Sequence, residues 1–356
     1  MICPRCYRSY EQTALFCPHD GERLAATIDI KRVRSKPTEQ HGAVIGGRYQ
    51  VRGLLGRGAM AHVFLAQDKT SGASVAVKVL EAKHVADKQL VVRFILEATA
   101  AARVTHRSIV EMLDVGQTEG GAPYLVMELL MGESLGDWLR REKQMPLELG
   151  LPFVRAVAEG LAAVHRAGIV HRDVKPDNVF LQGEKGSPHS AKIVDFGFAK
   201  HDEQGALTQA GVTVGTVEYM SPEQAVSDPV DPRTDVYGIG VLMHRMFTGR
   251  LPFDGHDPSD VLARHLVEEP QPPCLAASPP SSGVEAIIAK ALRKRPEHRY
   301  SSMESLIGDL SRLDRGESLS AHLPPEEADV YVPRNTFSQR AAAFLYSRLG
   351  QKPPSW

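Results

Sequence analysis

The sequence predicts an α+β fold of two lobes, preceded by a small cysteine-rich module. Three observations carry that expectation. Between about Ile45 and Leu130, short apolar or alternating runs are divided by glycine-containing turns, which is the pattern of strands. From about Leu135 to Leu313, apolar residues recur at spacings of three and four, which is the pattern of helices. Ahead of both, three of the four cysteines (Cys3, Cys6 and Cys17) crowd into residues 1–24, while Cys274 stands alone.

The cysteine segment, "CPRCYRSYEQTALFCPHDG", opens with a C-x2-C pair and continues to Cys17. A full zinc ribbon would place a fourth cysteine at position 20, which is Asp20, with His19 beside it. Zn²⁺ accepts carboxylate oxygen or imidazole nitrogen, so Cys3, Cys6 and Cys17 with Asp20, or alternatively His19, make a chemically reasonable structural site. The competing reading is an idle, reduced, metal-free segment; a chain this short needs a staple to fold, which favours the metal. Residues 25–44 are polar, partly basic and without hydrophobic period, and read as a linker.

A first lobe over 45–130 follows, with "RYQVRGLLGRG", "AHVFLAQD", "SVAVKVLEA" and "PYLVMELL" as strands. A second lobe over 131–313 contains "LELGLPFVRAVAEGLAAVHRAG", whose apolar residues fall on one helical face. Residues 314–356 form a tail. Phe337, Ala341, Phe344 and Leu345 share a helical face there, so the tail reads either as a short docking helix or as an exposed, frayed end.

Composition narrows the class. The 356 residues are 42% hydrophobic and 24% charged, with a formal net charge of -1, so no global field points to nucleic acid or an anionic membrane. No apolar stretch reaches the roughly 18 residues needed to span a bilayer, and "MICPRCYRSY" lacks the apolar run of a secretory signal. A cytoplasmic location is the expectation.

Two features of the first lobe suggest anion chemistry. "LLGRGAMAHVFLA" sets Gly56 and Gly58 in a turn between two strands, where the backbone can approach phosphates and offer its N–H groups. Many hairpins need glycine for backbone reasons alone. Lys78 then sits inside "SVAVKVL"; alone it reads as a lysine reaching out of an edge strand, but a buried ammonium needs an anionic partner, and Glu97, 19 residues on, is a candidate. Farther along, "IVHRDVKPDNVFL" interrupts an apolar run with four charges and an Asn. A surface turn is one explanation. A phosphoryl-transfer centre is the other.

The ordered set of motifs favours the second. "HRDVKPDN" (His171 to Asn178) resembles the H-R-D-x-K-P-x-N loop of eukaryotic-type serine/threonine protein kinases. "VDFGFAK" follows with Asp195 22 residues after Asp173, and resembles their D-F-G motif. "GTVEYMSPEQ" resembles the end of their activation segment, with Ser221 in place of Ala before Pro222-Glu223, and "RPEHRY" resembles their closing arginine motif. The resemblance runs from about Tyr49 to Leu313, in the family's order and spacing, and looks closest to the bacterial members.

What the resemblance implies is an active enzyme with the two-lobed protein kinase fold, a β-rich small lobe and a helical large lobe, using ATP and Mg²⁺ to phosphorylate Ser/Thr hydroxyls of proteins. Lys78, held by Glu97, would bind the α/β-phosphates, and Asn178 and Asp195 would hold Mg²⁺. Asp173 would accept the hydroxyl proton and Lys175 would face the transferring group. By resemblance, too, Thr216 would bridge Asp173 and Lys175, Asp235 would brace the loop, and Glu223 would pair with Arg299. Leu55, Val63, Ala76 and Met127 would line an adenine pocket, with backbone groups of Glu128 and Leu130 reaching the base. Arg172 beside the catalytic Asp implies control by phosphate on the activation segment, with Thr208 and Thr213 as acceptors. One departure is Ala61 at the loop's third glycine. A nucleotide-responsive scaffold is the rival class; a small-molecule phosphotransferase would lack "GTVEYMSPE". Protein substrates are the expected partners, together with a protein bound at the cysteine module or tail, and no nucleic acid.

Overall fold

The structure is a computed structural model, and it describes residues 38–184, 186–195, 217–255, 257–271, 273, 282–321 and 329–353. Cys3, Cys6, Cys17, His19, Asp20, Thr208, Thr213 and Thr216 lie outside the described residues. The chain divides into two compact units, one drawn from Met1–Glu133 and Phe180–Ala199, the other from Ser134–Val179 and Lys200–Trp356.

The first unit is built on an antiparallel six-stranded sheet. Its strands are β1 (Val44–Ile45), β2 (Tyr49–Arg57), β3 (Ala61–Asp68), β4 (Ser74–Leu80), β5 (Met112–Gln117) and β6 (Pro123–Glu128), in the order β1-β2-β3-β4-β6-β5. β-Branched and aromatic residues fill these strands, and on β2 the alternation buries Tyr49, Val51 and Leu54 against Phe64, Val77, Tyr124 and Val126. β4 lies inside the sheet, paired with β3 and β6. Lys78 is therefore on an interior strand, and the edge-strand explanation for it is excluded. A helix, α1 (Lys88–Ala102), packs on β5 and β6 through Phe94, which is fully buried. A second, three-stranded sheet joins β7 (Gly132–Ser134), β8 (Val179–Glu184) and β9 (Ser187–Ile193). Gly132 adopts φ 145°, and a Cβ there would lie 1.9 Å from the Leu181 carbonyl oxygen, so only glycine admits this strand contact.

The second unit is helical: α2 (Leu135–Glu142), α3 (Leu147–Arg166), α4 (Pro222–Ala225), α5 (Arg233–Thr248), α6 (Pro258–Val267), α7 (Ser282–Ala291), α8 (Met303–Arg315) and α9 (Thr336–Arg348). Caps fix the ends. Ser134 accepts from the Asp137 N–H, Asp257 from those of Ser259 and Asp260, and Ser302 from that of Ser305. Gly249 (φ 73°) ends α5 in the left-handed conformation that glycine adopts without strain. Buried Phe153, Val157 and Leu161 of α3 and Val236, Ile239 and Met243 of α5 contribute to the core, with α7 and α8 closing it.

The tail forms a docked helix, and of the residues the apolar spacing placed on its face Leu345 and Ala341 pack inward while Phe337 and Phe344 do not. Ser338, Ala342, Leu345 and Tyr346 are buried, whereas Phe337 and Phe344 are about half exposed. Packing against α6 selects this face.

Candidate active site

In the first unit, the residues expected around a base gather into one apolar cluster. Leu55, Val63, Ala76, Met127 and Leu130 pack with Leu65, Val110, Leu129 and Met131. β-Sheet register explains it: Ala76 faces Leu65 across β3 and Met127 across β6, which brings three separate stretches of sequence to one place. Ala76 needs a small side chain here, being 6% exposed between them. The Glu128 carboxylate accepts from the Lys192 ammonium and from the Glu111 backbone N–H.

The glycine turn closes with the Gly58 N–H donating to the Ala61 carbonyl at 2.8 Å. A Cβ built at Gly56 would meet nothing within 4 Å, so the backbone there is open to an approaching group. Ala61 is buried against Leu80, Phe94 and Leu125, so its methyl group is core packing and does not crowd the turn.

Lys78 is 8% exposed, and its ammonium lies 3.0 Å from Oδ1 of Asp195. The Asp195 side chain is about half exposed, with Oδ1 held by Lys78. The Glu97 side chain lies outside the described ones; among those described, the Lys78 ammonium pairs with Asp195.

The charged loop belongs to the second unit and is held from below by α5. The Asp235 carboxylate is fully buried; it accepts the His171 and Arg172 backbone N–H groups, each at 2.8 Å, and lies 2.7 Å from Nε2 of His165. Arg172 takes φ 68°, a conformation costly for a residue with a Cβ, and it is over-determined: its N–H is held by Asp235 and its carbonyl accepts from the Gln224 amide at 2.8 Å. From this strained residue the chain turns so that Asp173, Lys175 and Asn178 converge. The Lys175 ammonium is 3.0 Å from the Asp173 carboxylate. The Asn178 amide nitrogen donates at 2.8 Å both to the Asp173 carbonyl and to its Oδ2. That leaves the Asn178 amide oxygen as an acceptor (the donor end being fixed by its two partners).

Beyond the loop, Glu223 and Arg299 form a two-pronged pair at 2.8 Å per bond, with side chains 1% and 0% exposed. Thr234 donates to the same carboxylate. Burial pushes the Glu223 carboxyl up, and the Arg299 charge with these hydrogen bonds more than offsets it, holding the group below its ordinary value.

Among the described residues no group of three or more His, Cys, Asp or Glu is placed to hold a metal. The Asp195 carboxylate and the Asn178 amide oxygen are hard oxygen donors of the kind Mg²⁺ takes in company with phosphate oxygens and water. Sequence reasoning missed Gln224 and His165 as supports of the loop; a lone Gln or His on a helical face carries no periodic signal that distinguishes it from packing.

Comparisons with known proteins place the chain in a family. A family model described as a protein kinase domain matches residues 49–309. The serine/threonine-protein kinase pkn3 of Myxococcus xanthus is 37% identical over 91% of this chain and 61% of its own length. The serine/threonine-protein kinase PknB of Mycobacterium tuberculosis is 37% identical over 84% of this chain and 47% of its own. The chain thus spans about half to three-fifths of the curated relatives it matches. Among solved structures, the PknI kinase domain of Mycobacterium tuberculosis is 28% identical with a TM-score of 0.59, covering 77% of this chain and 99% of that one.

Proposed function

The chain belongs to the protein kinase domain family, and from that premise we propose that it is an active serine/threonine protein kinase, transferring the γ-phosphate of ATP to Ser/Thr hydroxyls of proteins. The observation that carries this reading is the loop from His171 to Asn178, where one carboxylate, one ammonium and one oriented amide converge on a buried scaffold.

The reaction breaks the bond from the γ-phosphorus to the bridging oxygen of ADP and forms one to the substrate hydroxyl oxygen. Asp173 accepts the hydroxyl proton and aims that oxygen; its own orientation is fixed by Asn178 and Lys175. Lys175 presents positive charge to the transferring group, and Lys78 presents its charge to the α/β-phosphates, with Glu97 as its partner when the site is filled. Asp195 and Asn178 are the residues that would hold Mg²⁺, which neutralises phosphate charge when bound. Leu55, Val63, Ala76 and Met127 receive the adenine, Gly56 and Gly58 cover the phosphates, and Glu128 and Leu130 meet the base through their backbone. Thr216 is assigned the bridge between Asp173 and Lys175.

Arg172 supports a regulatory reading: its Nε is buried with no hydrogen-bond partner among the described residues. A phosphate on Thr208 or Thr213, placed there by autophosphorylation, would supply one. For the cysteine module, the C-x2-C spacing supports Zn²⁺ at Cys3, Cys6, Cys17 and Asp20, with His19 as the alternative fourth ligand. No helix among the described residues is long and apolar enough to cross a membrane, and a cytoplasmic site of action is proposed.

The test is transfer of labelled γ-phosphate, with Mg²⁺, to the chain itself and to a generic basic protein. Label is expected with the parent and absent with Asp173→Asn and with Lys78→Met. Nucleotide binding without transfer by the parent would move the reading to a scaffold.

A further inference from the structure

Past α8, and past the residues that the family model matches, the chain returns to the second unit and is fastened there at several points. Asp228, 3% exposed, is the main one: it accepts the Tyr331 hydroxyl at 2.8 Å, the Arg334 backbone N–H at 2.9 Å and the Asn335 side-chain amide at 2.9 Å. Asp228 in turn donates its own N–H to the Glu223 carbonyl at 2.8 Å. Just before it, Ser227 takes φ 59°, so the turn that carries Asp228 is strained and needs outside contacts to persist. Three donors from one later segment supply them.

Two more attachments lead to the same place. Tyr331 donates its N–H to the Leu266 carbonyl at the end of α6, and Arg348 pairs with Asp257 and, at 3.5 Å, with Asp260 at its start. Tyr331, Ala342, Leu345 and Tyr346 share one buried cluster with Val261, Leu262 and Leu266 of α6 and with Val217 and Val226. α6 itself packs on the turn Val217–Tyr219. Both routes, polar and apolar, thus end on Val217–Asp228.

We infer that residues Asp329–Leu349 are a positioning strap that sets the conformation of Val217–Asp228, and thereby the affinity for the protein substrate. The inference rests on the kinase reading only in taking that segment as the place where a phosphoacceptor peptide docks. The strap is anchored at Asp228 and α6, past Gln224, whose amide braces the Arg172 carbonyl, so its effect is expected chiefly on peptide binding, with phosphoryl transfer changed little.

The experiment uses the full chain with Tyr331→Phe and Asn335→Ala combined, which removes two of the three donors to Asp228 and keeps the buried ring. Phe344→Ala, on the exposed face of α9, is the control. Amide hydrogen exchange over Val217–Val226 and steady-state kinetics with a Ser/Thr peptide are read together. Exchange is expected to quicken about tenfold or more, and the KM for peptide to rise about five- to tenfold, with kcat and the KM for ATP within about twofold of the parent. Unchanged exchange would overturn the inference, whatever the kinetics. So would faster exchange with an unaltered peptide KM, or with kcat and both KM values degraded together, since the segment would then be structural only. A parent that transfers no phosphate would defeat the kinase reading, while the exchange comparison would still decide whether the strap holds the platform.

Discussion

Glu223 and Arg299 sit 76 residues apart in sequence and meet in the interior, where removing either partner strands the other's charge. Replacing Glu223 with Ala is expected to cost about 3–5 kcal/mol in urea unfolding, well above the loss of an exposed pair such as Arg315–Glu317, which water screens. A second residue-scale prediction concerns pH. Burial, the larger cause, and the nearby Lys294 charge push His265 well below its ordinary value of 6.5, so the folded chain keeps it neutral. The unfolded chain binds a proton there as pH falls through about 6.5, hence stability drops on acidification and is recovered as pH rises past that value. His244 is displaced in the same direction, by burial first, and adds to the effect. Urea midpoints at about pH 7.5 and 5.5 should diverge in the parent, and by less in His265→Gln. The motif residues were readable at this scale because charge inside an apolar run is conspicuous. Their supports were not: Gln224 and His165 act through hydrogen bonds to distant residues, Arg172 and Asp235, that only the fold brings about.

At the scale of elements, the glycine-punctuated strands β2, β3, β4 and β6 and the long helix α3 follow directly from spacing. The hairpin of β8 and β9 did not, because it is short, lies within a stretch of helical pattern, and takes its first strand from the end of the charged loop. α9 shows a subtler limit. Its apolar residues supply two overlapping stripes, and the Asp228 anchor with the Arg348 pairs to Asp257 and Asp260 fixes which one turns inward. Leu345→Ala should therefore destabilise the chain by about 2–4 kcal/mol, whereas Phe344→Ala should change stability by less than about 0.5 kcal/mol. The junction of α5 with the charged loop is equally tight. A Cβ at Gly238 would lie 2.9 Å from that of Val174, so Gly238→Ala is expected to cost about 1–3 kcal/mol and to lower activity by displacing the neighbouring Asp173.

Taken as a molecule, the chain combines a sheet-based unit, in which apolar side chains and a glycine turn gather near the Lys78–Asp195 pair, with a helical unit that presents Asp173, Lys175 and Asn178. The α+β class and family membership were readable from the sequence because the motifs come in a fixed order over most of its length. The conformation of the loop was not, since it depends on Asp235 reaching the His171 and Arg172 amides from more than sixty residues away. The claim at the centre is that Asp173 is the group that receives the hydroxyl proton. The most direct measurement is the rate of γ-phosphate transfer to a Ser/Thr peptide by Asp173→Asn at saturating ATP and Mg²⁺, with nucleotide binding confirmed in both proteins. A loss of roughly a hundred- to ten-thousandfold in kcat, with ATP affinity retained, is the result predicted. Transfer at the parent's rate would contradict it and assign the chemistry to a different residue.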